Sequence, residues 1–189
     1  MATAKTPWIE GAFCPLETPR FLCDEMLRGF GEWLRVAGYD TTSPTSGTRD
    51  RDVLETAIDE NRWLITRDRE LLLHRNAPQY VLLLESNGME SNFRELTRLL
   101  NLDWLHAPFS RCKRCNTPLR PGPLPDNTPE IGDKRVFCHC PGCKHVYWEG
   151  SHVRRMRGKL LRFNRWRHPR RFLPATSPLN GALPRYLTE

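Results

Sequence analysis

Apolar positions along the first hundred residues follow two alternating rhythms. Arg20–Cys23, Trp63–Thr66 and Tyr80–Leu84 are short apolar-biased runs of strand length, and Tyr39–Thr42 is a candidate for a further short strand. Between them the spacing turns helical. Met26, Leu27, Phe30, Trp33, Leu34 and Ala37 recur at i, i+3, i+4 intervals, and Gly38 is placed to close that helix. Gly29 and Gly31 lie inside it, which points to close packing against a neighbour. Val53, Leu54, Ala57 and Ile58 share one face of a second helix, opened by Asp50 and Asp52 and ended at Asn61. A short helix is expected over Arg69–Arg75 and a longer one over Asn92–Leu100. Strand and helix thus alternate four times, which predicts an α/β fold with a parallel sheet flanked by helices.

The rhythm stops near Pro108. The chain then carries two CxxC knuckles, Cys112–Cys115 and Cys140–Cys143. Each can present two thiolates to one tetrahedral ion, and this spacing matches a zinc ribbon. Four thiolates would leave no open position for water, so the expected Zn²⁺ is structural. Cys138 and His139 precede the second knuckle, but the CxxC pair has the better turn geometry. Neither knuckle follows a strand and opens a helix, which argues against a thioredoxin-like redox site. The chain therefore divides into an irregular lead-in (1–19), an α/β body (20–109), a ribbon (110–152) and a basic, partly helical tail (153–189).

Charge changes the picture of that tail. The 189 residues carry a net +7, but the sum hides −5 through Phe109, +3 over 110–150 and +9 beyond. Arg154, Arg155, Arg157, Lys159, Arg162, Arg165, Arg167, Arg170 and Arg171 crowd one stretch, interleaved with Phe163, Trp166 and Phe172. Arginine favours bidentate phosphate contacts and stacking, so a polyanion held at the C-terminal end is expected. Met156, Leu160, Leu161 and Phe163 have the spacing of one apolar helical face, able to dock on the body. The sequence has no apolar run of membrane-spanning length and its N-terminus lacks a signal-like apolar segment, so no membrane role is expected. The cysteine usage fits a reducing compartment, the cytoplasm.

Candidate chemistry lies upstream. In an open parallel sheet, ligands bind outside the carboxyl ends of the strands. Asp24 follows the first strand, Asp68 the third and Glu85 the fourth, and Asp52 opens the helix between. Carboxylates converging on one rim suit Mg²⁺ or Mn²⁺. Each aspartate also precedes a helix, where Asp is a favoured N-cap, so spacing alone leaves capping and catalysis both open.

From Phe21 through His152 the chain resembles the Mut7-C family, in which a PIN-like nuclease domain is fused to a zinc ribbon. The resemblance rests on Asp24-Glu25-Met26-Leu27, Trp33-Leu34-Arg35 and Gly38-Tyr39-Asp40. It continues in Asp52-Val53-Leu54 with Ala57, Leu64-Ile65-Thr66-Arg67-Asp68-Arg69-Glu70-Leu71, and Val146-Tyr147-Trp148-Glu149-Gly150-Ser151-His152. It implies metal-dependent RNA cleavage, with Asp24, Asp52 and Asp68 holding Mg²⁺ or Mn²⁺ and RNA as partner, as structured RNA or within a ribonucleoprotein. Glu25 departs from the family's small residue after the first aspartate. Arg67 and Arg69 beside the acids, and the basic residues from Arg154 to Arg167, are the expected nucleic-acid contacts. The rival is a non-catalytic zinc-ribbon RNA-binding or ribonucleoprotein-associated protein whose acids cap helices; a DNA-directed nuclease is a third reading.

Overall fold

The computed structural model describes residues 18–122 and 137–167. Expectations for the lead-in through residue 17 and for the tail beyond Arg167, Arg170 and Arg171 included, lie outside the described residues.

The four expected segments form strands β1 (Phe21–Cys23), β2 (Thr41–Thr42), β3 (Trp63–Thr66) and β4 (Val81–Leu83). All pair in parallel, in the order β2-β1-β3-β4. Helices α1 (Arg28–Val36), α2 (Asp50–Asp59), α3 (Ala77–Tyr80) and α4 (Met89–Leu100) connect and cover them. Single 3₁₀ turns over Glu25–Leu27 and Glu70–Leu73 follow β1 and β3. The expected helix over Arg69–Arg75 is thus a 3₁₀ turn, and α3, led by Pro78, is an addition.

Strand alternation sorts the core into two layers. Phe21, Cys23, Trp63, Ile65 and Leu82 face a large cluster with α1 and α4, while Leu22, Leu64 and Val81 face Val53, Leu54 and Ala57 of α2. The glycines of α1 divide. A Cβ on Gly31 would come within 3.2 Å of Cys23 Cβ, so its bareness lets the helix sit on β1; Gly29 is exposed and meets nothing so tight. Gly38 ends α1 at φ +101°, with Tyr39 N–H bonded to Leu34 O and Gly38 N–H to Arg35 O, the paired bonds of a Schellman motif.

After the linker, β5 (Arg120–Pro121), β6 (Phe137–His139) and β7 (Val146–Trp148) make a small antiparallel sheet. Helix α5 (Ser151–Asn164) then returns to the body. Its Met156, Leu160 and Phe163 are buried in the larger cluster, with Phe163 stacked on Phe93 at 3.9 Å between centroids. Leu161, expected on the same face, is instead 47% exposed, one helical step off the seam. Asn164 Oδ1 accepts from Trp104 N–H at 3.0 Å, and Arg167 pairs with Asp103. The basic segment through Arg167 therefore shares the body's core.

A Leu160→Ala variant should lose about 2–5 kcal/mol of unfolding free energy in urea titrations monitored by tryptophan fluorescence. A midpoint identical to that of the parent would show that α5 does not belong to the core.

Candidate metal centres

The two CxxC turns are near copies of each other. In the first, Cys112 N–H donates to Thr117 O and Asn116 N–H to Cys112 O; in the second, Cys140 N–H donates to His145 O and Lys144 N–H to Cys140 O. Asn116 (φ +68°) and Lys144 (φ +61°) take the left-handed conformation that turns each loop back. A Cβ on Gly142 would stand 2.7 Å from Thr117 Oγ1, so a bare residue lets the knuckles close on each other.

The four Sγ atoms lie within 4.8 Å of one another. Cys112–Cys143 and Cys115–Cys140 are separated by 3.5 and 3.3 Å, far beyond an S–S bond. A tetrahedral ion with Zn–S bonds of about 2.3 Å implies edges of about 3.8 Å, so the set fits one Zn²⁺. Tyr147 Oη sits 3.1 Å from Cys112 Sγ and Thr117 Oγ1 3.3 Å from Cys115 Sγ, positions from which hydroxyls can support thiolate charge. Cys138 lies outside the cluster.

The ribbon is sewn to the edge of the large sheet. Arg35, buried in α1, donates Nε to Thr41 O at 2.7 Å and Nη1 to the carbonyls of Lys113 (3.0 Å) and Arg114 (2.9 Å). Asn116 completes the join: its Oδ1 accepts from Thr41 N–H and its Nδ2 donates to Asp40 Oδ1. The edge strand thus spends its free N–H on the ribbon. Burial resists ionisation of Asp40, but hydrogen bonds from Arg62 and Asn116, with the charges of Arg62 and Arg111, hold its carboxyl below the usual range.

The acids occupy the opposite end of α1. In the order β2-β1-β3-β4 the chain leaves β1 toward one edge and β3 toward the other, so the topological switch point lies between β1 and β3. Asp24 and Asp68 follow those two strands. Thr66 joins them: its Oγ1 donates to Asp24 Oδ2 at 2.7 Å and accepts from Asp68 N–H at 2.9 Å. Asp24 Oδ1 also accepts from Glu25 N–H, and Asp68 Oδ1 from Glu70 N–H, so both aspartates cap the turns that follow. Capping uses one oxygen of each and leaves acceptor capacity on both carboxylates.

Asp52 sits apart from this pair. It lies in the first turn of α2, its carboxylate held by Arg49 at 2.9 Å. Among the described residues, the four cysteines alone bring three or more ligand-type side chains within reach of one ion; the three aspartates do not. Glu85 accepts a loose ion pair from Arg69 at 3.7 Å. Three buried polar atoms of the described chain lack a hydrogen-bond partner: Thr42 Oγ1, Ser43 Oγ and Arg67 Nε. Thr42 is the last residue of β2, Ser43 follows it, and Arg67 follows β3.

The expected RNA-contacting cations are not equivalent. Arg157 pairs with Glu149, Arg162 with Glu90 and Arg167 with Asp103, while Lys159 lies over Trp33 at 5.6 Å. Arg154, Arg155 and Arg165 are exposed without a side-chain partner among the described residues. Arg35 and Thr66 lie in the motifs of the resemblance but were given no role there, and Asn116 was not singled out; each acts through a long-range contact that periodicity does not encode.

The chain is thus a parallel α/β sheet with aspartates at its switch point, joined to a four-cysteine ribbon that can hold one metal ion. The family model of the Mut7-C RNAse domain matches residues 19–160, and the chain belongs to that family. No curated protein and no solved structure matches it.

Purified protein should carry one zinc per chain by plasma mass spectrometry. Cys140→Ser should lose it, whereas Cys138→Ser should keep it. Equal zinc in both variants would contradict the four-thiol site.

Proposed function

We propose that the chain is a PIN-like, metal-dependent ribonuclease that hydrolyses RNA phosphodiester bonds at the carboxyl rim of its parallel sheet. Membership of an RNAse family makes ribonuclease chemistry the natural activity for this site. The observation that carries the assignment to this rim is the linkage of Asp24 and Asp68 through the Thr66 hydroxyl at the switch point.

Asp24 and Asp68 would hold Mg²⁺ or Mn²⁺, which needs only one or two carboxylates beside its waters. Such an ion, when bound, acidifies water and offsets charge on the phosphoryl oxygens. Thr66 holds the Asp24 carboxylate and the backbone of Asp68 through one hydroxyl, which fixes the two residues relative to each other. Asp52 is released to join them when Arg49 lets go; both partners are substantially exposed, and such pairs contribute only about 0–1 kcal/mol. Arg67 and Arg69, directly after β3, meet the RNA backbone beside the acids, and the free arginines of α5 add long-range attraction. The zinc of the ribbon is structural. A reducing compartment, the cytoplasm, suits the four thiolates.

The rival, an RNA-binding protein without catalysis, draws on the capping bonds of Asp24 and Asp68. Activity separates the two. With Mn²⁺ and a labelled RNA, Asp24→Asn and Asp68→Asn should each lower kcat by roughly 10²–10³-fold. Thr66→Val should lower kcat about tenfold with KM little changed, as expected of a positioning residue. Cleavage that persists unaltered in the double aspartate variant, or its absence from the parent, would overturn the proposal.

A further inference from the structure

A groove crosses the face where the ribbon meets α1 and α5. Its wider part encloses about 510 Å³ between β7, the linker at Phe109 and the start of α5. It continues into a cavity of about 240 Å³ between α1 and α5, and Glu32, Lys113, His152 and Met156 line both.

The lining has two chemistries in one place. Trp148 lines the wider part and is 39% exposed on β7. A Cβ on Gly150 would approach its Nε1 to 3.0 Å, so the glycine leaves the indole room to lie where it does. Phe109 shares the groove with its backbone at φ +61°, a strained setting for a bulky side chain and one met at ligand-clamping positions. Around these rings stand Arg111, Lys113, Arg114 and Arg157 against Glu32 and Glu149, an excess of two positive charges. Lys113 pairs with Glu32, Arg157 with Glu149 and Arg111 with Asp40. Arg114 has no side-chain ion pair among the described residues, and Arg155 and Lys159 extend the basic lining into the narrower part.

We propose that this groove binds single-stranded RNA, with Trp148 stacking on a base and Arg114, Arg155 and Lys159 meeting phosphates. Aromatic faces beside cations are what an unpaired strand requires, because every unstacked base offers a face and every nucleotide a charge. A duplex offers no free base face to Trp148. Glu32 of α1 lines the groove, and Asp24 caps the 3₁₀ turn that leads into α1, so one continuous segment links the groove to the rim. The choice of RNA over DNA rests on the ribonuclease reading; the stacking does not.

Binding can be measured apart from cleavage, in the Asp24→Asn background without added Mn²⁺, by anisotropy of a fluorescein-labelled oligouridine and of a duplex of equal length. Trp148→Ala should weaken oligouridine binding about tenfold while changing duplex binding less than twofold, and Trp148→Phe should restore most of the loss. Arg114→Ala should lower the salt slope by about one. Zinc content and melting temperature identify a variant that has lost its fold; Trp148→Phe with Arg114→Ala then decides. Unchanged oligouridine affinity on removing Trp148, equal losses for strand and duplex in a folded variant, or a Trp148→Phe, Arg114→Ala protein that binds like the parent would overturn the groove. Loss of binding in Trp148→Ala together with a parent that cuts no RNA would retain the groove and refute the catalytic reading.

Discussion

The guanidinium of Arg35 is where the two halves of the molecule become one. It is buried, and its hydrogen bonds run to three backbone carbonyls, one on the edge strand and two in the first cysteine knuckle. A charge withdrawn from water costs several kcal/mol unless its donors are satisfied. Without the knuckle, two of those three acceptors vanish. The ribbon is therefore required by the body, and the body in turn shapes the ribbon through Asn116 and Asp40.

The chain then makes a second attachment. Having left the sheet edge through the knuckles, it returns by α5 and buries Leu160 and Phe163 among the aromatics of α1, α4 and the linker. A module tied at both ends cannot swing freely, so the surface between ribbon and body is built before any ligand arrives. Preorganisation of that kind lowers the ordering cost of binding. The four-cysteine cluster, with the spacing to hold one zinc, sits in this frame. The carboxylates proposed to be reactive lie at the other end of α1, where the strand order diverges and Thr66 couples Asp24 to Asp68.

Much of this was legible in the residues. The expected segments located all four strands of the sheet to within two residues at either end; β1, β3 and β4 were legible because strands buried on both faces are largely apolar, whereas β2 is Thr41–Thr42. The knuckles announced their own site, since CxxC geometry is local. Gly38 declared the end of α1 by the same locality. What was not legible depended on distance in sequence. Nothing near Arg35 marks it as a partner of residues 113 and 114, and nothing near Leu161 says that the seam passes one residue earlier. The aspartates show the limit most plainly: spacing brought three of them to one rim, but the structure couples two and leaves Asp52 with Arg49. Side-chain pairing across loops decided that, and no period in the sequence records it.

The central claim is that Asp24 and Asp68 hold the catalytic ion, and anomalous diffraction from crystals soaked in Mn²⁺ tests it most directly. An anomalous peak is expected at the switch point between β1 and β3, in contact with both carboxylates and weakened by Asp24→Asn. No peak at that rim, under Mn²⁺ concentrations at which the protein cuts RNA, would contradict it.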